Sequence, residues 1–273
     1  MVRQYRGRAG ALAGAAFALA GVVGAGGCTA RAGASADDRN GGPDTVRQAA
    51  HVLAGAGSSK ASTSMTMATG GTRVTIRGTG GFDFVRRSGR LRVVLPPDAA
   101  GAEEHPPITE LLTPTALYMK NRGANVPKGQ WVRVEPAKLP DGNLVTNGAT
   151  DPLVAAELLS GARGVVYAGA DELAGTRVRH YKGTADLSVA ARNAAPQARS
   201  VLAAAAKGFA GPDVPFDAYF DGQGRLRKVS ETFSFANKGH TVQVASTILL
   251  YDFGSPVTVS LPPGHEIYAG TVE

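Results

Sequence analysis

The chain has a single cysteine, Cys28, among 273 residues, and this scarcity excludes a disulfide bond within the molecule. Its five histidines are scattered between His51 and His265 without the spacing of metal ligands, and no second thiolate is available to complete a zinc site. The sequence also lacks a Gly-x-Ser-x-Gly elbow, a His-Glu-x-x-His motif, a phosphate-binding loop and a dinucleotide-binding fingerprint. We therefore predict no metal, no cofactor and no enzymatic activity, with an enzyme of unfamiliar type as one alternative.

Long apolar runs are lacking as well. The longest, residues 9–23, has about 15 residues and several glycines, whereas a membrane-spanning helix needs roughly 20 apolar residues. It follows a basic segment with Arg3, Arg6 and Arg8, and this order is typical of a secretory signal. We predict that residues 1–27 are a signal peptide that is removed on export.

The residues before the cysteine are small: Ala25, Gly26 and Gly27 precede Cys28 directly. This stretch resembles the lipobox of bacterial lipoproteins, which implies that Cys28 receives a diacylglycerol and becomes the new N-terminus. A lone cysteine has no partner in an oxidising compartment, and lipidation gives it a chemical use. The alternative is an unused thiol after an ordinary cleavage site. Lipidation predicts a palmitate-type anchor that holds the protein on the outer face of the cell membrane.

An excess of charge of one sign is also missing. The chain has 29 basic and 22 acidic residues, and removal of Arg3, Arg6 and Arg8 from the basic set leaves 26 and a net charge of +4. This balance is ordinary for a soluble domain and gives no reason to expect nucleic-acid binding. The 36 glycines and the excess of Arg over Lys are typical of a GC-rich genome, such as that of an actinobacterium.

Residues 28–43 are small and polar without apolar periodicity, which predicts a flexible tether after the lipidated cysteine. Residues 44–273 have a suitable length for one large domain. A helix is predicted at its start, ending at Gly55 and Gly57, because four apolar residues fall on one helical face. These residues are Val46, Ala49, Ala50 and Leu53.

From Ser62 onward, apolar and polar residues alternate, which predicts β-strands. The clearest strand is residues 72–84, where Gly78, Gly80 and Gly81 indicate a bend or bulge. Shorter strands are predicted at residues 91–95, 117–119 and 131–134. Because one face of these strands is apolar, we expect another layer to cover it.

The second half of the chain mixes helices and strands. Asp151 as N-cap and Pro152 as first residue predict a helix that ends at Gly161, and the alanine-rich residues 188–208 predict helix with a break at Pro196. Strands are predicted at residues 176–187, 216–220, 225–235, 241–251 and 257–261. Tight turns between consecutive strands favour an antiparallel sheet.

Three segments of this half carry a resemblance to a known family. They are Gly175-Thr-Arg-Val-Arg-His-Tyr-Lys-Gly-Thr184, Pro215-Phe-Asp-Ala-Tyr-Phe-Asp221 and Tyr251-Asp-Phe-Gly-Ser-Pro-Val-Thr-Val259. In these segments the chain resembles actinobacterial lipoproteins of the LppX/LprAFG family, over roughly residues 44–265. The resemblance implies an α+β fold, a strongly curved antiparallel half-barrel with helices packed on its concave face around an apolar cavity. It also implies similarity to periplasmic lipoprotein carriers and a cavity that takes the acyl chains of lipids or lipoglycans.

The residues themselves leave open whether the concave face lines a ligand cavity or a packed core. Alanine-rich helices supply little side-chain volume, which favours an underfilled interior, and methionine and phenylalanine suit an adaptable apolar wall. The candidates for the cavity lining are apolar residues on the predicted strand faces. They are Val74, Ile76, Phe82, Phe84, Leu117, Met119, Val178, Val242, Val244, Ile248 and Leu250.

Two polar clusters each have two interpretations. Asp221-Gly222-Gln223-Gly224, with Asp217 nearby, is consistent with a cation-binding loop, but a hairpin turn needs the same residue types and is preferred. Arg86, Arg87, Arg90 and Arg92 form a basic cluster that could meet anionic headgroups near the membrane, but a solvated strand edge is the preferred interpretation.

These observations predict a monomeric, membrane-anchored extracytoplasmic lipoprotein that binds a lipid or lipoglycan and carries it between membrane and envelope. A membrane transporter is a candidate partner. The alternative is an accessory or structural envelope lipoprotein that acts through protein–protein contacts.

Overall fold

The computed structural model describes residues 41–69, 72–96, 106–123, 125–145, 151–237 and 240–270. The predicted signal peptide, Cys28 and most of the tether lie outside these residues. Residues 34–273 form one compact unit, which contains all the described helices and strands. This unit therefore carries a complete core of its own.

The described residues contain five α-helices and eleven β-strands. The helices are α1 Gly42–Arg47, α2 Ala49–Ala54, α3 Pro152–Leu158, α4 Leu187–Asn193 and α5 Pro196–Gly208. The strands are β1 Ser58–Thr69, β2 Thr72–Asp83, β3 Ser88–Val94, β4 Ile108–Leu112, β5 Leu117–Lys120, β6 Trp131–Val134, β7 Ala162–Leu173, β8 Thr176–Asp186, β9 Asp213–Phe220, β10 Leu226–Asn237 and β11 His240–Tyr251. Short 3₁₀ turns lie at Pro136–Lys138, Leu159–Gly161 and Gly264–Glu266.

All eleven strands form one antiparallel sheet in the order β6-β5-β4-β3-β2-β1-β11-β10-β9-β8-β7. The sheet has two edges, β6 and β7, so it does not close into a barrel. Chain neighbours pair within each half, and the pairing of β1 with β11 joins the halves at the centre. The predicted fold class, an open antiparallel sheet with a few helices, is confirmed.

One face of the sheet packs against the helices. The alternation of buried and exposed residues in β3 and β9 is strict, as period-2 patterning predicts. A single hydrophobic cluster combines inward-facing strand residues such as Phe82 and Val244 with helix residues such as Leu153 and Leu202. The core therefore lies between the concave face and the helical layer.

Local sequence signals position the helices as predicted. Asp151 accepts a hydrogen bond from the backbone N–H of Leu153 at 2.7 Å and begins α3, and Asp186 caps α4 in the same way through Val189 at 2.9 Å. The predicted break is present, since α4 ends at Asn193 and α5 begins at Pro196. The four apolar residues predicted on one face near the start, from Val46 to Leu53, are buried.

Of the bend or bulge predicted at the β2 glycines, the bulge is wrong, because β2 keeps its register with both β1 and β3 across them. The glycines permit close approach instead. A Cβ on Gly80 would lie 1.9 Å from the carbonyl oxygen of Arg90, and one on Gly78 would lie 2.5 Å from the hydroxyl of Thr63. Register shifts occur elsewhere in the described sheet, twice in the edge strand β7, where Gly164 and Gly169 have positive φ, and once in β10 between Leu226 and Lys228.

The strand predicted at residues 257–261 is also wrong, since these residues do not pair with any strand of the sheet. Pro256, Pro262 and Pro263 flank the segment and remove backbone donors that pairing would need. Val257 instead lies over Gly81, where an added Cβ would be 2.9 Å from its side chain. The last part of the chain thus crosses the outer face of the sheet.

Two strands were not predicted from the sequence, β4 and β7. In β4 the alternation is obscured because an inward-facing glutamate, Glu110, stands where an apolar residue is expected. In β7 two bulges interrupt the alternation.

Candidate functional site

Nine of the eleven predicted lining residues lie together in the hydrophobic cluster on the concave face. They are Ile76, Phe82, Phe84, Leu117, Met119, Val242, Val244, Ile248 and Leu250. The sheet register brings them from separate parts of the chain onto one surface. For example, Ile248 of β11 lies opposite Thr63 of β1, which lies opposite Gly78 of β2.

The other two residues are placed differently. Val74 faces the concave side by register, opposite Met67, but its side chain is 40% exposed near the end of β2. Val178 is buried but does not belong to the hydrophobic cluster. It is three positions from Tyr181 on β8, and Tyr181 faces the core, so the two side chains point to opposite faces of the sheet. Val178 therefore lies on the outer face of β8.

Sequence reasoning missed a set of polar groups on the concave face. Ser59, Thr63, Glu110 and Glu231 are buried, and each has at least one side-chain oxygen without a hydrogen-bond partner in the described structure. Buried polar atoms are nearly always paired in folded proteins, so each exception asks for an explanation. The failure of period-2 alternation at Glu110 was a sequence signal that could have revealed one of them.

Glu110 lies on β4 between Leu91 of β3 and Met119 of β5, its cross-strand neighbours. Both carboxyl oxygens are buried and unpaired. Burial raises the pKa of Glu110 to about 8, and the charge of Arg122 opposes this rise. At neutral pH the group is therefore mainly a neutral carboxylic acid.

Glu231 lies on β10, opposite Phe216 of β9 and Ser246 of β11. Its Oε1 atom is buried without a partner. Burial alone raises the pKa of Glu231 to about 8. Since β10 and β4 lie on either side of the central strands, the two glutamates occupy opposite walls of the concave face.

A first cleft lies where β4 and β5 meet the helical layer, and we name it the Arg87 cleft. Its floor is apolar, with Leu112, Leu117, Leu144, Leu153, Val154, Ala198 and Val201, and its polar lining includes Arg87, Asn143, Asp151 and Gln197. The cavity volume is about 50 Å³, which is far below the 300–1,000 Å³ typical of ligand pockets. Burial raises the pKa of Asp151 to about 6, against its hydrogen bonds to the α3 backbone and the charge of Arg87.

A second cleft, the Met67 cleft, lies at the opposite end of the strands. It is lined by Met67, Pro140, Asp141, Val145, Gly208, Phe209 and Phe235. Its volume is about 370 Å³, within the range of ligand pockets. Phe209 stacks on Phe233 of the core at 4.8 Å between ring centroids, so this cleft adjoins the concave face.

Residues 139–145 separate the two clefts, and we name them the covering segment. Asp141 holds its shape by accepting hydrogen bonds from the backbone N–H groups of Asn143 and Val145 at 3.2 and 2.8 Å. Leu144 and Val145 are buried in the core cluster. The segment packs backbone to backbone on α5, because a Cβ on Gly142 would lie 2.3 Å from the carbonyl oxygen of Val201.

The concave face is therefore closed rather than open. Its predicted lining residues, apart from Val74 and Val178, pack against helices and the covering segment, and among them Leu117 alone lines either cleft. A ligand on the concave face would have to displace part of the covering layer. The covering segment is the element that both clefts share.

The polar clusters considered from the sequence have other roles. Asp221 accepts hydrogen bonds from the N–H groups of Gln223 and Arg225 at 3.0 Å each, which builds a hairpin turn rather than a cation loop. The basic cluster is divided, since Arg86 pairs with Asp83 and Arg87 lines the first cleft. Arg90 and Arg92 lie on the outer face of β3, where they border a groove beside the segment that covers Gly81.

His180 illustrates the histidines. It stacks on Tyr219 at 4.1 Å between ring centroids and lies 2.6 Å from a carboxylate oxygen of Asp217, on the outer face of the sheet. Across the described part of the chain, no three His, Cys, Asp or Glu side chains are grouped so that they could hold a metal ion. None of the described helices has the length and apolar character that crossing a membrane requires.

Similar solved structures include two mycobacterial lipoproteins. LprF from Mycobacterium bovis is 15% identical, with coverage of 82% of this chain and 98% of that one and a TM-score of 0.42. LppX from Mycobacterium tuberculosis is 12% identical, with coverage of 80% and 97% and a TM-score of 0.41. A LolA-superfamily protein from Nitrosomonas europaea is 10% identical, with coverage of 78% and 94% and a TM-score of 0.35.

No protein-family model matches the chain, and no curated protein matches it. The similar structures include the lipoproteins LppX and LprF, after which the family indicated by residues 175–184, 215–221 and 251–259 is named. At these identities and TM-scores the likeness is one of general fold and assigns no ligand.

Proposed function

We propose that this protein binds the acyl part of a lipid or lipoglycan between its concave sheet face and its helical layer, and carries it between the membrane and the cell envelope. It performs no chemistry on its ligand. Cys28 carries the lipid anchor, and the tether of residues 28–43 lets the folded unit stand away from the outer face of the membrane.

The observation that carries this proposal is the covering segment. It separates the Met67 cleft, of about 370 Å³, from the Arg87 cleft, and its side chains Leu144 and Val145 reach into the core. Displacement of residues 139–145 joins the two clefts along α5 and exposes the concave face to a ligand.

The lining of the two clefts suits the two parts of an amphipathic ligand. The Met67 cleft offers Met67, Phe209 and Phe235, which form an apolar wall for acyl chains. The Arg87 cleft has a polar lining with Arg87 and Gln197 above apolar residues. A lipid with its chains on the concave face and its polar end near Arg87 satisfies both surfaces.

A second candidate function is an accessory envelope lipoprotein that binds a partner protein. The closed packing of the concave face favours it, because nine of the predicted lining residues belong to the hydrophobic core. The accessory function requires no displacement of the covering segment.

Native mass spectrometry of residues 34–273 separates the two functions. The domain is secreted into a bacterial envelope and purified without detergent. We expect one bound lipid, which organic extraction removes and incubation with lipid vesicles restores. A domain that takes up no lipid under either condition would favour the accessory function.

A further inference from the structure

Two carboxyl groups on the concave face have buried oxygen atoms without a hydrogen-bond partner. Both oxygens of Glu110 and Oε1 of Glu231 are buried and have no hydrogen bond in the described structure. A carboxyl group transferred from water into apolar surroundings is strongly disfavoured unless it is paired. Apolar side chains of similar volume would serve the closed core better.

The neighbours of these groups do not neutralise them. Glu231 has uncharged cross-strand neighbours, Phe216 and Ser246. Glu110 has the apolar neighbours Leu91 and Met119, and Arg122 is the charged group within electrostatic reach of it. Burial keeps both carboxyls largely protonated at neutral pH, since it raises each pKa to about 8.

A protonated carboxyl group has one O–H donor and needs an acceptor. A hydrocarbon chain offers none. A phosphate or other charged headgroup would have to lose its own hydration on the apolar concave face, which is costly. The uncharged acceptor that lies among acyl chains is the ester carbonyl.

We propose that Glu110 and Glu231 are ligand-binding residues that donate hydrogen bonds to ester carbonyl oxygens of the lipid. This inference rests on the proposed lipid-binding function and assigns the ligand as an acyl ester. In the closed structure the two carboxyl groups lie on opposite walls of the concave face. The ligand that displaces the covering segment provides the carbonyl oxygens that accept their hydrogen bonds.

The sheet order gives the spacing of this site. β4 and β10 are five strand positions apart, which corresponds to about 24 Å along the curved sheet. Thr63 of the central strand β1 lies between them with an unpaired buried hydroxyl. The ester carbonyls of a diacylglycerol are only a few ångströms apart, so a diacylglycerol meets one wall at a time. A lipid whose ester groups are spread along the molecule can meet donors on both walls.

A pair of matched probes tests the assignment. A diacylglycerol and its dialkyl ether analogue of equal chain length differ in their carbonyl oxygens, and both are offered to residues 34–273 at pH 6.5. We expect the ester to bind about fivefold more tightly than the ether, because one hydrogen bond is formed at a time and contributes about 1 kcal/mol.

Variants then assign the preference to the residues. Glu110→Leu and Glu231→Leu together should abolish the ester preference while ether binding stays unchanged. Glu110→Gln and Glu231→Gln each retain an N–H donor, so the single variants and the double Gln variant should keep the preference. As the pH rises from 6.5 to 9, the ester preference of the parent should fall because the carboxyls ionise, and that of the double Gln variant should not.

The outcomes distinguish this inference from the proposed function. If neither probe binds, the lipid-binding function itself fails. If both probes bind equally to the parent, or if the Leu variants keep the preference, lipid binding stands and the role of the glutamates is overturned. Should a Leu variant fail to fold, the pH dependence of the Gln variants alone decides, since a preference equally pH-dependent in both proteins contradicts the inference.

Discussion

Gly208 at the end of α5 lies against the carbonyl oxygen of Pro140, so closely that a Cβ on Gly208 would be 2.1 Å from that oxygen. A second glycine, Gly142 of the covering segment, lies similarly close to the carbonyl oxygen of Val201. Val201 precedes Gly208 by about two turns of the same helix. The covering segment is thus held to α5 by two contacts that tolerate no side chain.

We expect Gly208→Ala to push the covering segment away from α5 and to speed lipid exchange between the domain and vesicles. Stability should fall, since overpacking typically costs about 1–3 kcal/mol. Exchange is measured with a fluorescent acyl ester at equal fractions of folded protein. Gly211→Ala is the control, because Gly211 has no neighbour within 4 Å of an added Cβ, and it should change neither quantity.

Met67→Trp should block the Met67 cleft with little loss of stability. The cleft of about 370 Å³ has room for an indole ring, so the extra atoms bury apolar area instead of displacing neighbours. Lipid uptake should fall strongly. The matched control is Ile76→Trp on the adjacent strand, in the closed core, which should lower the free energy of unfolding by about 1–3 kcal/mol. Equal losses of stability in both variants, with uptake unaffected, would contradict the assignment of the cleft.

The buried carboxyls should make stability depend on pH. Because burial raises the pKa of Glu231 to about 8 from 4.5, the folded state binds more protons than the unfolded state between these values. The free energy of unfolding therefore falls as pH rises through this window, by up to about 1.4 kcal/mol per pH unit for this group. Glu231→Gln should gain stability relative to the parent from pH 5 to 8, and the gain should level off above pH 8.

Chemical denaturation at a series of pH values checks this difference. Glu135→Gln is the control, because Lys138 and Arg133 lower the pKa of this exposed carboxyl. The contribution of the Glu135 carboxylate to stability is complete above its unfolded-state pKa and is lost at more acid pH. The difference in free energy of unfolding between Glu135→Gln and the parent should therefore stay constant between pH 5 and 8. A constant difference for Glu231→Gln as well would show that this carboxyl is not buried in the folded protein.

Cys28→Ala should move the protein from the membrane fraction to the soluble fraction, since the thiol is the predicted attachment point of the acyl chains. Thr29→Ala is the control and should leave the protein in the membrane fraction. Intact-mass measurement of the mature parent should show the added acyl groups on Cys28. A free thiol, or cleavage at another bond, would refute the prediction.

The sequence predicted those elements whose local signals agree with their environment. Apolar and polar residues alternate regularly in β2 and β11. Asp151 marks the start of α3 as its N-cap, and Pro196 marks the start of α5 as its first residue. β4 departs from the alternating pattern because Glu110 faces inward. Residues 257–261 alternate in sequence although no strand pairs with them.

The clefts were beyond local patterns. They depend on residues 139–145, whose Leu144 and Val145 carry no periodicity, and on the approach of this segment to α5 through Gly142 and Gly208. Such contacts are made in three dimensions by residues about 60 positions apart in sequence. Val178 was also beyond local patterns. It is an apolar residue buried on the outer face of β8, and alternation along a strand does not tell which of its two faces lines the concave side.

The central pairing of β1 with β11 has a kinetic consequence. Lys60 and Asp252 form an ion pair at 2.8 Å across a separation of 192 positions. The middle of the sheet is therefore completed only when β11, the last of the described strands, has been synthesised. Contacts so distant in sequence make folding slow, because the chain loses the entropy of loop closure before the strand pairing stabilises it. Until β11 has been synthesised, β1 therefore lacks its second neighbour in the sheet.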